Sequence, residues 1–425
     1  MENTEILAKD KYKTSRVLYI IEAALEYFIS ILVGGAYLAK VSTAIGISDA
    51  VTGILTAFVS LGLSFQMIAI FLAKYQPVKK WVTILHTLNQ LAFALIYVVP
   101  FFEISKTTKT ALFIVFLLLG HAVNNIVNSP KINWFMSLID DKKRGTFTAN
   151  KEIISLIGGM VFSFLLGLVI DYFDAIGNEN GSFLFCAIGI FVLTILHSCT
   201  LIFSKEKEPI SNEKTSTKKL LKDLLQDKTL FKVVFIAGMW NVAHSVATPF
   251  YGTYLNNELG FSMTLIAVLS AVYSVVRSLF SRPLGRYADK NSFKKMLTIC
   301  FYVACASFIV NTFCTPENGK VVYFIHYILY AIAMAGINSG AINLVYGCVK
   351  KENRIGAFAL QQAFSGVAGF LITIIVSPLV SYVQACGNTI FGITVYAQQI
   401  LSFLAFILTM GIVLYIKFAL KNIDK

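Results

Sequence analysis

Asn128-Ser-Pro-Lys-Ile-Asn133 closes a long apolar run, and the stretch returns as Asn338-Ser-Gly-Ala-Ile-Asn343 at the end of another. Behind each copy comes a charged turn and a second shared signal, Arg144-Gly-Thr-Phe147 and Arg354-Ile-Gly-Ala-Phe358, each opening a further apolar run. The chain therefore reads as two related halves in parallel orientation. A parallel duplication of this size in apolar sequence points to a transporter-like design, because two bundles with a polar site between them can rock and expose that site alternately.

Composition sets the class. With 56% hydrophobic and 14% charged residues and a mean hydropathy of +0.71, the balance is not that of a water-soluble globule. A helix crosses the hydrocarbon core of about 30 Å with about 20 apolar residues. Twelve such runs fit in the 425 residues, at 17–39, 50–73, 80–101, 109–136, 146–172, 182–203, 231–255, 263–287, 294–314, 320–348, 356–384 and 390–416. They are too long, and lack the alternation, for strands of a membrane barrel. The expected fold is an all-α polytopic membrane protein of twelve transmembrane helices in two six-helix pseudo-symmetric bundles. The expected division is 1–204 for the first bundle, 205–230 for a cytoplasmic linker and 231–425 for the second bundle.

Basic residues resist transfer across the membrane during insertion and so mark the cytoplasmic side. They cluster in the amino terminus, at Lys74, Lys79 and Lys80, at Lys142, Lys143, Arg144 and Lys151, in the central loop, from Arg282 to Lys295, at Lys350, Lys351 and Arg354, and in the tail. Both termini are expected in the cytoplasm, with the protein in the cell membrane. The net charge of +13 then reflects topology and attraction to anionic headgroups, with no nucleic-acid partner. The first apolar run contains two glutamates and lacks a cleavage pattern, so it reads as a retained helix. Seven cysteines without a Cys-x-x-Cys pair, and histidines without zinc spacing, predict neither disulfides nor a metal. Within the linker, Lys218-Lys-Leu-Leu-Lys-Asp-Leu-Leu225 places leucines on one face and lysines on the other, the pattern of a helix lying on the membrane surface.

Gly285-Arg-Tyr-Ala-Asp289-Lys290-Asn-Ser-Phe-Lys294-Lys295 resembles the signature loop of the major facilitator superfamily. It stands between the second and third helices of its half, and a degenerate twin, Leu72-Ala-Lys74-Tyr-Gln-Pro-Val-Lys79-Lys80, occupies the matching place in the first half. The resemblance covers essentially the whole chain. An aspartate at such a helix end can accept hydrogen bonds from the N-terminus of a helix in the other half, whose dipole favours an anion. The family arrangement implies that Asp289 faces the start of helix five near Gly145 and Thr146, with Arg354 close by, latching the cytoplasmic face. Lys74 replaces that aspartate in the first half. No complete subtype motif is present: helix five has Gly158, Gly159 and Gly167 but lacks the Gly-Pro pair of proton-coupled drug antiporters.

Glu22 and Glu26 lie one turn apart on one face of the first helix. An ionised group at the bilayer centre costs about 2.5–3.5 kcal/mol on insertion scales, so it must face a cavity, find a partner or take up a proton. Helix four is unusually polar, with His121, Asn124, Asn125, Asn128, Pro130 and Lys131. Counted from the membrane edge, Lys131 falls near the level of Glu22 and His121 deeper. The resemblance implies that helices one, four, seven and ten line the substrate cavity. That predicts a Glu22–Lys131 ion pair, a proton-coupling role for Glu26 and then Glu22, and cavity roles for Lys131, His121 and the three asparagines. In the second half the cavity candidates are Trp240, Asn241, His244 and Tyr254 on helix seven and Asn338 and Asn343 on helix ten. Arg277 needs an anion: the resemblance implies that helices five and eight adjoin, which makes Glu152 one candidate, a gating pair alongside Asp289, Arg354 and Gly285, and an anionic group of the substrate is equally a candidate.

The five histidines read as scattered, and no nucleophile and base converge, so enzyme chemistry and a cofactor are not expected. The expected function is secondary active transport of a small organic solute by alternating access, coupled to protons. A drug or metabolite exporter of the same fold is the runner-up, and a transporter-derived sensor or scaffold the reading from another class. The expected partners are a small-molecule substrate, protons and the lipid bilayer, with the chain acting as a monomer.

Overall fold

Ser, Asn and Asp stand at the heads of several apolar runs, and their side chains cap the helices that follow. Ser48 accepts from the Val51 N–H, Ser105 from Thr108, Asn178 from Gly181, Ser262 from Leu265 and Ser292 from Lys295. Asp227 accepts from both Thr229 and Leu230. Each cap satisfies an N–H that the helix cannot, and so fixes where a span begins. The computed structural model describes residues 11–419 except 67, 69–71, 73–76, 141–142, 208–226 and 350–353. The region around Lys74 and the amphipathic segment 218–225 thus lie outside the described residues.

Among the described residues nine helices are long and apolar enough to cross a membrane, and Lys13–Leu32 with Gly35–Ala44 forms a tenth, bent span. Asp49–Ser64 and Lys79–Ile96 occupy the second and third predicted positions. Every predicted apolar run therefore meets a helix. A short hairpin, Thr389–Ile390 paired with Ile393–Thr394, joins the last two spans.

The first span departs from expectation. It bends by 44° after Leu32, because Gly34 is extended and Gly35 has a φ of +52°, a conformation open to glycine at little cost. The bend brings the short second segment against the seventh span. A Cβ on Gly252 would lie 2.5 Å from the Gly35 carbonyl oxygen, so this crossing tolerates no side chain there.

That crossing belongs to a seam on the face opposite the basic loops, where hydrogen bonds join the two bundles. Asn256 donates to the Ala36 carbonyl (2.8 Å), Asn257 and Gln384 to Asp49 (2.7 and 2.8 Å), and Ser377 to the Ala50 carbonyl (2.9 Å). Asp171, near the end of the fifth span, accepts from the Met263 and Thr264 N–H groups at 2.8 and 2.9 Å. An aspartate capping the free N-terminus of a helix in the other bundle is the chemistry expected of Asp289, found here at the other face. Gly167 sits just beneath, with Met263 and Thr264 backbone atoms 2.9 Å from where its Cβ would be. From there toward the basic face an apolar groove of about 460 Å³, lined by residues such as Met160, Phe164, Ala271 and Val275, separates the fifth and eighth spans.

Two charge-assisted bonds to one carboxylate are worth about 1.5–3 kcal/mol each. Asp171→Asn, which keeps the shape and loses the charge, should shift the population toward opening at this face by about tenfold or more. Spin-label distances between the ends of spans five and eight at this face should lengthen; an unchanged distribution would show that Asp171 does not hold the seam.

Candidate functional site

Glu22 and Glu26 project from the same side of the first span toward the third, fourth and sixth. The Lys131 ammonium meets them there. It donates to Glu22 Oε1 at 2.8 Å, to Glu26 Oε2, and to His86 Nε2 at 2.9 Å. Three donors find three acceptors, so the ammonium is saturated without water. His86, accepting at Nε2, carries its proton on Nδ1 and gives it to Asn89 Oδ1 at 2.8 Å. Asn89 in turn reaches Asn124 Oδ1 and the Gly120 carbonyl, both at 3.4 Å. His197 Nε2 lies 2.9 Å from Glu22 Oε1, and its ring meets that of His86 edge-on at 4.5 Å.

Burial separates the two carboxylates. Glu22 is fully enclosed and Lys131 is 2% exposed, whereas Glu26 keeps 25% of its side chain open. Glu22 Oε2 and His197 Nδ1 are buried without a hydrogen-bond partner. Glu22, Glu26, His86 and His197 bring ligand atoms within 4.8 Å of one another, a geometry fit for a cation. The ammonium already supplies one, and a metal ion would have to displace Lys131.

The expected Glu22–Lys131 pair is present. The reading of the histidines as scattered is not upheld: His86 and His197 converge on both glutamates. Other expectations shift. His121 is buried against Phe93, with ring centroids 5.0 Å apart, and Asn125 bonds Gln66 and the His121 carbonyl. Asn124 belongs to the Asn89 network. His121, Asn124 and Asn125 knit the first bundle, and neither they nor half-buried Asn128 line the two central cavities described below. Tyr254 also packs, donating to the Cys314 carbonyl at 2.9 Å, and Asn343 is exposed, bonded to the Ser339 carbonyl.

Between the bundles lie two cavities of about 450 Å³ each that share His244. The first is lined by Tyr27, Ser30, Ser163, Thr248 and Ser274 and by tyrosines of spans seven, eight and ten. Ser30 stands one turn beyond Glu26 on the same face of the first span, so this cavity begins about one helical turn from the ion cluster, whose own residues are not in its lining. The second, nearer the basic face, is lined by Trp240, Asn241, Arg277, Asn338, Gln361 and Gln362. Trp240, Asn241, His244 and Asn338 are thus at the cavity as expected.

The gating candidates fare unevenly. Arg277 is directed into the second cavity beside the Tyr273 hydroxyl, while Glu152 is exposed, and the two form no ion pair. The groove between spans five and eight explains the separation. Asp289 is exposed; the surroundings of Gly145 and the side chains of Thr146 and Arg354 lie outside what the structure describes. Gly285 falls inside the helix Met263–Lys290 with open space around it, so no close approach requires it.

A family model of the Major Facilitator Superfamily matches residues 20–371 and again 242–421. The chain belongs to the Major Facilitator Superfamily. Among solved structures it is similar to the nucleoside transporter NupG, with a TM-score of 0.69 at 15% identity over 95% of this chain and 98% of the other. It is also similar to a D-xylose-proton symporter, with a TM-score of 0.65 at 13% identity, covering 94% and 96% of the two chains. An auto-inhibited POT family peptide transporter gives a TM-score of 0.67 at 12% identity, covering 95% and 97%. Identities this low show a common fold and nothing finer. No curated protein sequence matches the chain.

Within this facilitator fold the cluster makes a strong energetic demand. Removing one partner of a buried ion pair typically costs about 3–5 kcal/mol, because the remaining charge is stranded. Lys131→Met leaves two facing carboxylates and should destabilise by that order. Adding Glu22→Gln to Lys131→Met should restore part of it, read as thermal stability in detergent; strictly additive losses would show that the charges do not interact.

Proposed function

We propose that this protein is a secondary active transporter in the cytoplasmic membrane, moving a small organic solute by alternating access and driven by protons. The observation that carries the reading is the charge balance of the buried cluster. Two carboxylates face one ammonium; His86 accepts from that ammonium, and with a single proton on His197 as well the cluster holds one uncompensated negative charge in a low-dielectric bundle. One bound proton neutralises it, and the partly open Glu26, next to the cavity, is the member that a proton can reach. Glu22, enclosed and held by Lys131 and His197, anchors the ammonium.

The solute site is the pair of cavities meeting at His244. Their hydroxyls, amides and aromatic rings suit an organic molecule. The neighbours named above include a sugar-proton symporter and a nucleoside transporter, which accords with such cargo. In the state seen here the face opposite the basic loops is sealed. By the distribution of basic residues that face is extracellular, with both termini cytoplasmic. On this reading Asp289 takes over the latching role when the cytoplasmic face closes, and the two six-helix units on either side of the linker 205–230 rock about the cavity.

Glu26→Gln tests the coupling. In proteoliposomes it should abolish accumulation driven by an imposed pH gradient, while exchange of internal for external substrate persists, because only the titrating step is lost. Glu22→Gln should weaken accumulation less. Undiminished gradient-driven accumulation by Glu26→Gln would move the proton site to another member of the cluster.

A further inference from the structure

The two central cavities differ from the ion cluster in one respect. Their combined linings include a single charged residue, Arg277, and no carboxylate. The guanidinium lies within electrostatic reach of Tyr27, Tyr273 and Tyr330. No aspartate or glutamate among the described residues pairs with it. The glutamates of the neighbouring cluster are occupied by Lys131.

While the cavity holds water the guanidinium is hydrated and this arrangement costs little. Occlusion changes that. Closing the cavity around its contents expels water, and a bare guanidinium inside protein is then expensive unless an anion arrives with the ligand. Two buried polar groups near it also lack a hydrogen-bond partner: the Tyr330 hydroxyl, within its electrostatic reach, and Gln361 Oε1, in the lining of the same cavity; the Tyr323 hydroxyl, likewise without a partner, lines the first cavity. Aromatic faces form the walls: Trp240 contacts His244, and His244 contacts Tyr330, at centroid distances of 5.9 and 6.0 Å.

Resting on the transport reading above, we propose that the substrate is a flat-ringed organic anion with one carboxylate. The carboxylate pairs with Arg277, and the ring lies against the Trp240, His244 and Tyr330 walls with its polar substituents on the unpartnered hydroxyls. Arg suits this role because its planar fork matches a carboxylate in two parallel hydrogen bonds. A cationic solute is disfavoured by the same charge. A neutral ring would be held by the walls but would leave the guanidinium stranded on closure, so the anion also licenses occlusion.

Equilibrium binding to the purified full chain tests this without involving coupling. The probes are matched one- and two-ring pairs, 4-hydroxybenzoate with 4-hydroxybenzamide and indole-3-acetate with indole-3-acetamide, with tyramine as the cation. Binding is read by quenching of Trp240 fluorescence, controlled with Trp240→Phe, and by thermal shift. At least one carboxylate should bind tenfold or more tightly than its amide, with tyramine weakest. Arg277→Gln should erase that preference while leaving the weak affinity for the amide, and Arg277→Lys should retain part of it. Equal binding within every pair, no binding by any probe, or an anion preference that survives in Arg277→Gln would overturn the proposal. If Glu152→Gln reproduced the Arg277→Gln loss, Glu152 rather than the ligand would be the counter-charge, and the proposal would likewise fall. Failure of the transport reading looks different: anion-selective binding would persist, and the same carboxylate would not cross the membrane of a proteoliposome.

Discussion

One ammonium group organises the first bundle. Lys131 is enclosed in a membrane protein, where a lone cation is costly, and its position is acceptable because all three N–H bonds end on Glu22, Glu26 and His86. Those acceptors sit on the first and third spans, and His197 adds the sixth through Glu22. A single saturated cation thus ties four helices together at one depth. The same bonds set the tautomer of His86 and, through it, the orientation of Asn89 and the link to Asn124. Remove the ammonium and the cluster is a set of repelling carboxylates; add one proton and it is neutral.

The internal repeat shows how the two bundles divide the work. Aligning Asn128-Ser-Pro-Lys-Ile-Asn133 with Asn338-Ser-Gly-Ala-Ile-Asn343 puts Ala341 where Lys131 stands in the first bundle. Ala341 lines the cavity that holds Arg277. At the same place in the repeat, one bundle fills the space with a charged side chain and the other leaves it open. The contrast between ion chemistry in the first half and an aromatic, hydroxyl-rich cavity in the second is therefore written partly at a single aligned position.

Much of this was legible in the sequence, and the exceptions have a common cause. Depth along a helix follows from counting, at about 1.5 Å per residue, which is why Glu22 and Lys131 on antiparallel spans were matched correctly. Which helices adjoin, and which way a residue faces, does not follow from counting. His86 and His197 lie within the third and sixth apolar runs, each roughly two turns from the basic face, at the level of Glu22. Equal depth was thus an available signal, but without helix adjacency they read as isolated. The same gap misassigned His121, Asn124 and Asn125, whose polarity is spent inside the first bundle. It also paired Arg277 with Glu152, because helix neighbours were taken to stay in contact along their whole length. The kink at Gly34-Gly35 was hidden for another reason: a glycine pair in an apolar run is compatible with a straight helix, and the close approach of Gly252 is a tertiary fact.

The seam opposite the basic loops adds a constraint on how the molecule can move. Asp171 holds the start of the eighth span by accepting two backbone N–H groups, a contact that needs the helix N-terminus and the carboxylate within about 3 Å and tolerates no partial opening. Asp289 is exposed at the far end of that same helix, where the start of the fifth span would offer equivalent donors. One helix therefore carries a helix-dipole contact at its first turn and an aspartate at its last. In the proposed cycle the second contact is of the same chemical kind as the first, a carboxylate at a helix N-terminus. The sealed face also holds the bonds made by Asn256, Asn257, Gln384 and Ser377, and their loss on opening is a cost that closure of the other face and filling of the cavity must offset.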